Sequence, residues 1–125
     1  MAKINALLKL NSNTALAGSA FLNFIDEYEI QVTDTDTLVQ QTTASDVTNV
    51  TVLSAIGGNA DFHYIYLQNT HATENLLLLT GGEVEYGFIP PLSSILIGVK
   101  RSIGLALAAS SGTITVNYIR TKKSS

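Results

Sequence analysis

Residues 62–68 read FHYIYLQ, and their alternation decides the fold class. In an extended chain, Phe62, Tyr64 and Tyr66 fall on one side, and the three residues between them fall on the other. Aromatic and β-branched side chains also favour strands over helices. The stretch therefore predicts a β-strand with two different faces.

Sequence with strand character extends from residue 27 towards the end of the chain. Short runs with strand character cover 27–33, 37–43, 47–54, 62–68, 75–80, 83–89, 93–99, 103–109 and 113–120. Turn-forming residues separate the runs about every ten residues, for example Asp34-Thr35-Asp36, Gly81-Gly82 and Pro90-Pro91. Eight or nine such strands without a long helix predict an all-β fold, an antiparallel β-sandwich or a barrel. The spacing alone does not choose between a jelly-roll and an immunoglobulin-like topology.

Residues 1–26 differ from the rest because their apolar and polar residues do not alternate with a period of two. Ile4, Leu7 and Leu8 have helical spacing, which favours a short helix. An apolar cluster follows at Phe21, Leu22, Phe24 and Ile25. We expect an N-terminal arm over 1–26 that packs on its own domain or on a neighbour, followed by a β-sandwich domain over 27–125.

Charged residues make up 14% of the chain, against about 25% in typical soluble domains. Small polar residues replace them, and a surface of that kind loses little when it is buried against a partner. This composition indicates an assembled protein, although a monomer with a threonine-rich sheet surface fits equally well. No segment is long and apolar enough to predict a membrane span, and no export signal is predicted.

The net charge of −3 does not favour nucleic-acid binding as the main function. The basic residues cluster at Arg120, Lys122 and Lys123, with Lys100-Arg101 in a predicted turn. We interpret the C-terminal cluster as a solvated tail. The chain has no cysteine, so disulfides and thiolate metal sites are excluded.

A metal site is the first chemical possibility, because His63 and His71 lie near Asp61 and Glu74 in the sequence. The histidines, however, have neither His-x-His nor His-x-x-x-His spacing. We expect His63 to cap a sheet face and His71 to lie in a loop.

The acidic residues do not predict catalysis either. Glu83 and Glu85 fall on one side of a strand, whereas glycosidase carboxylates face each other across a cleft. Asp34 and Asp36 alternate like calcium ligands, but no glycine or downstream glutamate completes a calcium loop. No nucleophile motif or phosphate-binding glycine loop is present. We therefore predict no catalytic, metal-binding or cofactor-binding residue, and no enzymatic activity.

Tyrosines provide a different possibility, because exposed aromatic rings stack on sugars. The candidates are Tyr28, Tyr64, Tyr66, Tyr86 and Tyr118. Each lies in an alternating strand beside apolar residues, which favours core packing over ligand binding.

The second half of the chain resembles a known protein group. From His63 to Thr121 it reads HYIYLQNTHATENLLLLTGGEVEYGFIPPLSSILIGVKRSIGLALAASSGTITVNYIRT. This segment resembles the C-terminal β-sandwich of small virion proteins of tailed bacteriophages. The shared features are an aromatic strand followed by a polar turn, an apolar strand, a proline corner, and a closing Thr-Ile-Thr-Val strand.

The resemblance implies a jelly-roll-like sandwich on a capsid or tail, often as a homotrimer and without a cofactor. The implied function is that of a capsid decoration or cement protein, which binds the phage head and stabilises it. Its partner would be the major capsid protein or another virion protein, and its location the virion. Two alternatives stay open: a tail or neck component of the same fold, and a carbohydrate-binding adhesion module.

Overall fold

The computed structural model describes residues 2–11 and 23–123. Nine strands make up the regular structure of these residues: β1 (Ala2–Asn11), β2 (Asn23–Ser45), β3 (Val50–Leu53), β4 (Phe62–Asn69), β5 (Leu76–Leu79), β6 (Glu85–Ile89), β7 (Ser94–Lys100), β8 (Leu105–Ala109) and β9 (Thr113–Lys123). Within the described residues, no helix has the length and apolar character to cross a membrane.

The strands form two antiparallel sheets. The first has the order β1-β2-β9-β4-β7, and the second has the order β3-β8-β5-β6. From β2 onward, the chain alternates between the sheets at every step except the hairpin that joins β5 to β6. Eight strands in this order form a jelly roll. The predicted all-β sandwich is confirmed, and the topology is the jelly-roll one.

The core lies between the two sheets and is built from the alternation seen in the sequence. In β4, Ile65 and Leu67 point inward and are fully buried, whereas Tyr64 and Tyr66 lie on the outer face. Leucines from the second sheet meet them from the opposite side. The largest fully buried apolar side chains are Leu53, Ile65, Leu67, Leu76, Ile89, Leu105, Leu107, Ile114, Val32 and Val116.

Two local predictions are wrong. Residues 4–8 lie in a strand and not in a helix, because β1 pairs along its whole length with β2, with Ile4 opposite Ile30. The turn predicted at Asp34-Thr35-Asp36 lies inside β2, where the pairing with β9 shifts register between Thr33 and Leu38. A register shift of this kind bends a strand without ending it.

The structure describes only part of the predicted N-terminal arm. β1 packs on its own domain through β2, whereas Phe21 and Leu22 lie outside the described residues. The division into an arm, 1–26, and a domain, 27–125, stays a prediction, and β2 runs through its boundary.

The basic C-terminal residues do not form a solvated tail. β9 continues to Lys123 and pairs with both β2 and β4. Arg120 donates from Nη1 to the carbonyl oxygen of Val52 at 2.7 Å. Lys122 forms an ion pair with Asp61 at 3.4 Å. Strand pairing therefore orders these residues despite their charge.

Candidate assembly surface

The structure places the two histidines at opposite ends of β4. His63 is buried on the inner face near the start of β4, and His71 lies in the loop beyond the end of that strand. The strand between them, from residue 63 to residue 69, spans roughly 20 Å. Among the described residues, no three histidine or acidic side chains are grouped so that they could hold a metal ion.

His71 instead organises its own loop. Its Nδ1 accepts hydrogen bonds from the backbone N–H groups of Thr73 and Glu74, both at 3.1 Å. The Glu74 carboxylate accepts a hydrogen bond from Ser110 Oγ at 2.9 Å. The histidine and the glutamate considered as ligands therefore shape the connection between β4 and β5, and His71 lies in a loop, as predicted.

The acidic residues considered in the sequence lie in a turn and in two strands. Glu83 lies in the turn before β6 with a positive φ of 65°, and Glu85 begins that strand. Both are exposed. Asp34 and Asp36 belong to β2, and their side chains lie outside the described part of the structure.

The tyrosines divide into three environments. Tyr118 is buried in the core, where its hydroxyl donates to Gln40 Oε1 at 3.2 Å. Tyr64 and Tyr66 are half-buried on the outer face of the first sheet. Tyr86 is exposed on β6. The side chain of Tyr28 lies outside the described part. Core packing is thus the role of Tyr118 but not of Tyr86.

Exposed apolar side chains concentrate between residues 84 and 92. We call Val84, Tyr86, Phe88 and Leu92 the β6 edge patch, because they lie on or beside the edge strand of the second sheet. Phe88 is 54% exposed and Leu92 is 71% exposed. Leu92 has a positive φ of 55°, a conformation that costs a residue with a side chain about 1–2 kcal/mol. Exposed apolar side chains that follow one edge strand favour a surface that binds a partner.

A groove next to the β6 edge patch lies between the edges of the two sheets. Its volume is about 300 Å³, and Tyr86, Ile97, Gly98 and Ile103 contribute to its lining. β6 has a register shift opposite Leu78 and Leu79, which is the point where Tyr86 lies. Partial burial raises the pKa of the Tyr86 hydroxyl above its usual value of 10.0, because the ionised phenolate is poorly solvated there.

A second apolar surface lies on the outer face of the first sheet. The sheet curls into a half-barrel, so that β1 comes to face β7. The cavity between them, which we call the outer cavity, has a volume of about 590 Å³. It is lined by Ile4, Asn5, Ala6, Leu7, Leu8, Ile30, Tyr64, Tyr66, Ser94, Ile95, Leu96, Ile119 and Thr121.

Sequence reasoning did not identify either surface. Val84, Tyr86 and Phe88 alternate with Glu83, Glu85 and Gly87, which predicts one buried and one exposed face. Both sets are largely exposed, because β6 is an edge strand of its sheet. Sheet order is a property of the tertiary fold. The signal available in the sequence was the density of apolar residues beside the Pro90-Pro91 corner.

The comparisons with known proteins add a likeness in structure alone. No protein-family model matches this chain, and no curated protein matches it. Among solved structures, a chain of the Bacillus endospore appendages, described as a novel family of disulfide-linked pili, is similar. The two chains share 18% sequence identity with a TM-score of 0.48, over 71% of this chain and 87% of the other.

Proposed function

We propose that this chain is a structural protein that binds other proteins, specifically a capsid decoration or cement protein of a tailed-bacteriophage virion. The β6 edge patch carries the proposal, because it offers exposed apolar side chains to a partner. The jelly roll supports it, since viral capsid and lectin domains use this topology. The resemblance of residues 63–121 to phage virion proteins supplies the choice of partner.

The proposed mechanism is energetic and involves no chemical reaction. A protein that binds the assembled shell and not its separated subunits raises the cost of taking the shell apart. Repeated copies on a symmetric shell would add avidity without new contacts. We include the homotrimer in this proposal, and sedimentation equilibrium of the purified protein measures it directly.

A co-sedimentation assay with expanded, undecorated phage capsids tests the function. We expect the wild-type protein to sediment with the capsids and Phe88→Ser to bind at least tenfold more weakly, because buried aromatic anchors dominate interface energies. Phe62→Ser is the matched control: Phe62 is 50% exposed, against 54% for Phe88, but it belongs to β4 in the other sheet. It should bind as the wild type does.

Two results would change the assignment. If the protein does not bind capsids but copurifies with tails, the tail or neck role replaces the cement role. If Phe62→Ser and Phe88→Ser weaken binding equally, the β6 edge patch is not the contact surface.

A carbohydrate-binding module is the second candidate, and the exposed rings of Tyr86 and Phe88 favour it. Aromatic rings stack on the apolar faces of sugars, and lectins also use the jelly roll. A glycan array distinguishes the two functions: the cement role predicts no binding above background.

A further inference from the structure

The five-stranded sheet leaves two edges without a ladder partner in the described part of the chain. β1 pairs with β2 only, and β7 pairs with β4 only. An edge strand presents a row of backbone N–H and C=O groups that can pair with another chain. Charged side chains and prolines usually protect an edge strand from pairing with other chains. β7 has no proline and has no charged residue between Ser94 and Val99.

The curl of the sheet brings these two edges to one cavity. Residues 4–8 of β1 and residues 94–96 of β7 line opposite sides of the outer cavity. Tyr64, Tyr66 and Ile119 form its floor from the strands between them. The cavity therefore combines an apolar floor with backbone hydrogen-bonding groups on both walls.

The strand directions fit one additional strand. Successive neighbours in the order β1-β2-β9-β4-β7 are all antiparallel, so β1 and β7 run in the same direction. A single strand that runs the other way would be antiparallel to both. Antiparallel pairing is the slightly more stable of the two ladder types.

The lining also specifies the chemistry of the occupant. None of its thirteen residues is charged. A segment with charged side chains would lose their hydration there without gaining a partner charge. A small apolar molecule would match the volume, but it would leave the backbone groups of both edges without partners. An uncharged extended segment with apolar side chains at alternate positions satisfies both requirements.

A strand between β1 and β7 needs both of its edges free, and each of the nine described strands of a second copy already has at least one edge paired in its own sheet. We infer that the outer cavity accepts an extended, uncharged segment of a different protein, which adds a strand between β1 and β7. Strand addition of this kind obtains affinity from main-chain hydrogen bonds and specificity from alternate side chains. The inference rests on the proposed function, since the donor is then a neighbouring virion protein.

Amide NMR spectra with a synthetic peptide test the inference. The probe is the acetylated and amidated peptide TVTVTVT, which has the length of β7, and its charged counterpart TKTKTKT is the control. We expect TVTVTVT to shift the backbone amides of residues 4–8 and 94–96 and TKTKTKT to leave them unchanged. Shifts confined to β6, or none at all, would overturn the inference.

Two variants locate the site. Leu96→Lys places a charge in the cavity and should weaken TVTVTVT binding at least tenfold. Val39→Lys is the matched control: Val39 lies in the same cross-strand row, opposite Ile119, but outside the cavity, and is 72% exposed. If Leu96→Lys fails to fold by circular dichroism, Ser94→Lys, at an exposed position of β7, replaces it. Equal binding by the Leu96→Lys and Val39→Lys variants would contradict the inference.

The remaining outcomes separate this inference from the proposed function. If laurate shifts the backbone amides of the cavity and TVTVTVT does not, the cavity binds a small apolar ligand and not a strand. Peptide binding without capsid binding would keep the strand site and remove the virion role. Capsid binding with no peptide response would do the reverse.

Discussion

Asn69 and Ile89 connect the two sheets of the jelly roll. The Nδ2 of Asn69, at the end of β4, donates to the carbonyl oxygen of Ile89, at the end of β6, at 3.0 Å. The same amide group contacts the carbonyl oxygens of Glu74 at 2.9 Å and Pro90 at 3.1 Å. Its Oδ1 accepts the backbone N–H of His71 at 3.0 Å. Asn69 is fully buried, so one side chain satisfies backbone groups of several loops.

Asn69→Ala should therefore be among the most damaging polar substitutions in the protein. It leaves buried carbonyl groups and an N–H without partners, and we expect the free energy of unfolding to fall by roughly 2–4 kcal/mol. Urea denaturation measures the loss. Asn49→Ala, at an exposed position, should change stability by less than about 0.5 kcal/mol.

Asn69→Asp separates hydrogen bonding from size. An ionised carboxylate has the shape of the amide but cannot donate, so it would face three carbonyl oxygens without a proton to offer. We expect this variant to be less stable than wild type at neutral pH and to recover part of the difference in acid, where the carboxyl group can donate. A loss that is independent of pH would contradict this account.

Asn69 also shows where sequence reasoning stops. The alternation of residues 62–68 predicted the faces of β4 correctly, because burial on one face of a strand repeats every two residues. The role of Asn69 depends on carbonyl groups at residues 74, 89 and 90, which only the completed fold brings together. A polar residue at the end of a strand looks the same whether it joins two sheets or begins a loop.

Gly104 is a second position where tertiary contacts restrict the residue. Its φ is +72°, and a Cβ atom there would lie 2.8 Å from the carbonyl oxygen of Leu53 and 2.9 Å from the amide nitrogen of Ala55. Gly112 has a similar φ of +66°, but a Cβ atom there would have no neighbour within 4 Å. The pair distinguishes backbone strain from steric overlap.

Gly112→Ala should cost about 1–2 kcal/mol, which is the strain of a left-handed alanine. Gly104→Ala should cost clearly more, because the backbone of β3 must also move. Thermal unfolding of both variants measures the difference. Equal losses would mean that β3 yields to the added methyl group without cost.

The wrong predictions have a common cause in pairing between distant segments. The spacing of Ile4, Leu7 and Leu8 suits a helix, yet β2 supplies an antiparallel partner for the whole segment. The aspartates at 34 and 36 suit a turn, yet the ladder with β9 resumes at Leu38 and keeps the strand continuous. Local preference is weak in both segments, so the ladder decides the structure.

Arg120 makes a second link between the sheets, because β9 belongs to the first sheet and Val52 to the second. Arg120→Met retains an apolar stem of similar length but removes the donor to the Val52 carbonyl. We expect a loss of about 1–3 kcal/mol in urea denaturation, the range for hydrogen bonds to charged groups. Lys100→Met, at an exposed position, should stay within about 0.5 kcal/mol of wild type. If the two variants lose equally, the effect comes from charge and not from this hydrogen bond.

Tyr86 should make the stability of the folded protein depend on pH in the alkaline range. Partial burial raises the pKa of its hydroxyl in the folded protein above the usual value of 10.0, which the unfolded chain retains. The unfolded state therefore loses this proton first, so stability is unaffected below about pH 9 and falls as the pH rises from there through the folded-state pKa. Tyr86→Phe removes the titrating group and keeps the ring.

Urea denaturation of both proteins between about pH 8 and about pH 11 should show the wild type losing stability more steeply than Tyr86→Phe. Parallel pH profiles would mean that the hydroxyl is as well solvated in the folded protein as in the unfolded chain, and that the groove beside the β6 edge patch is open to water.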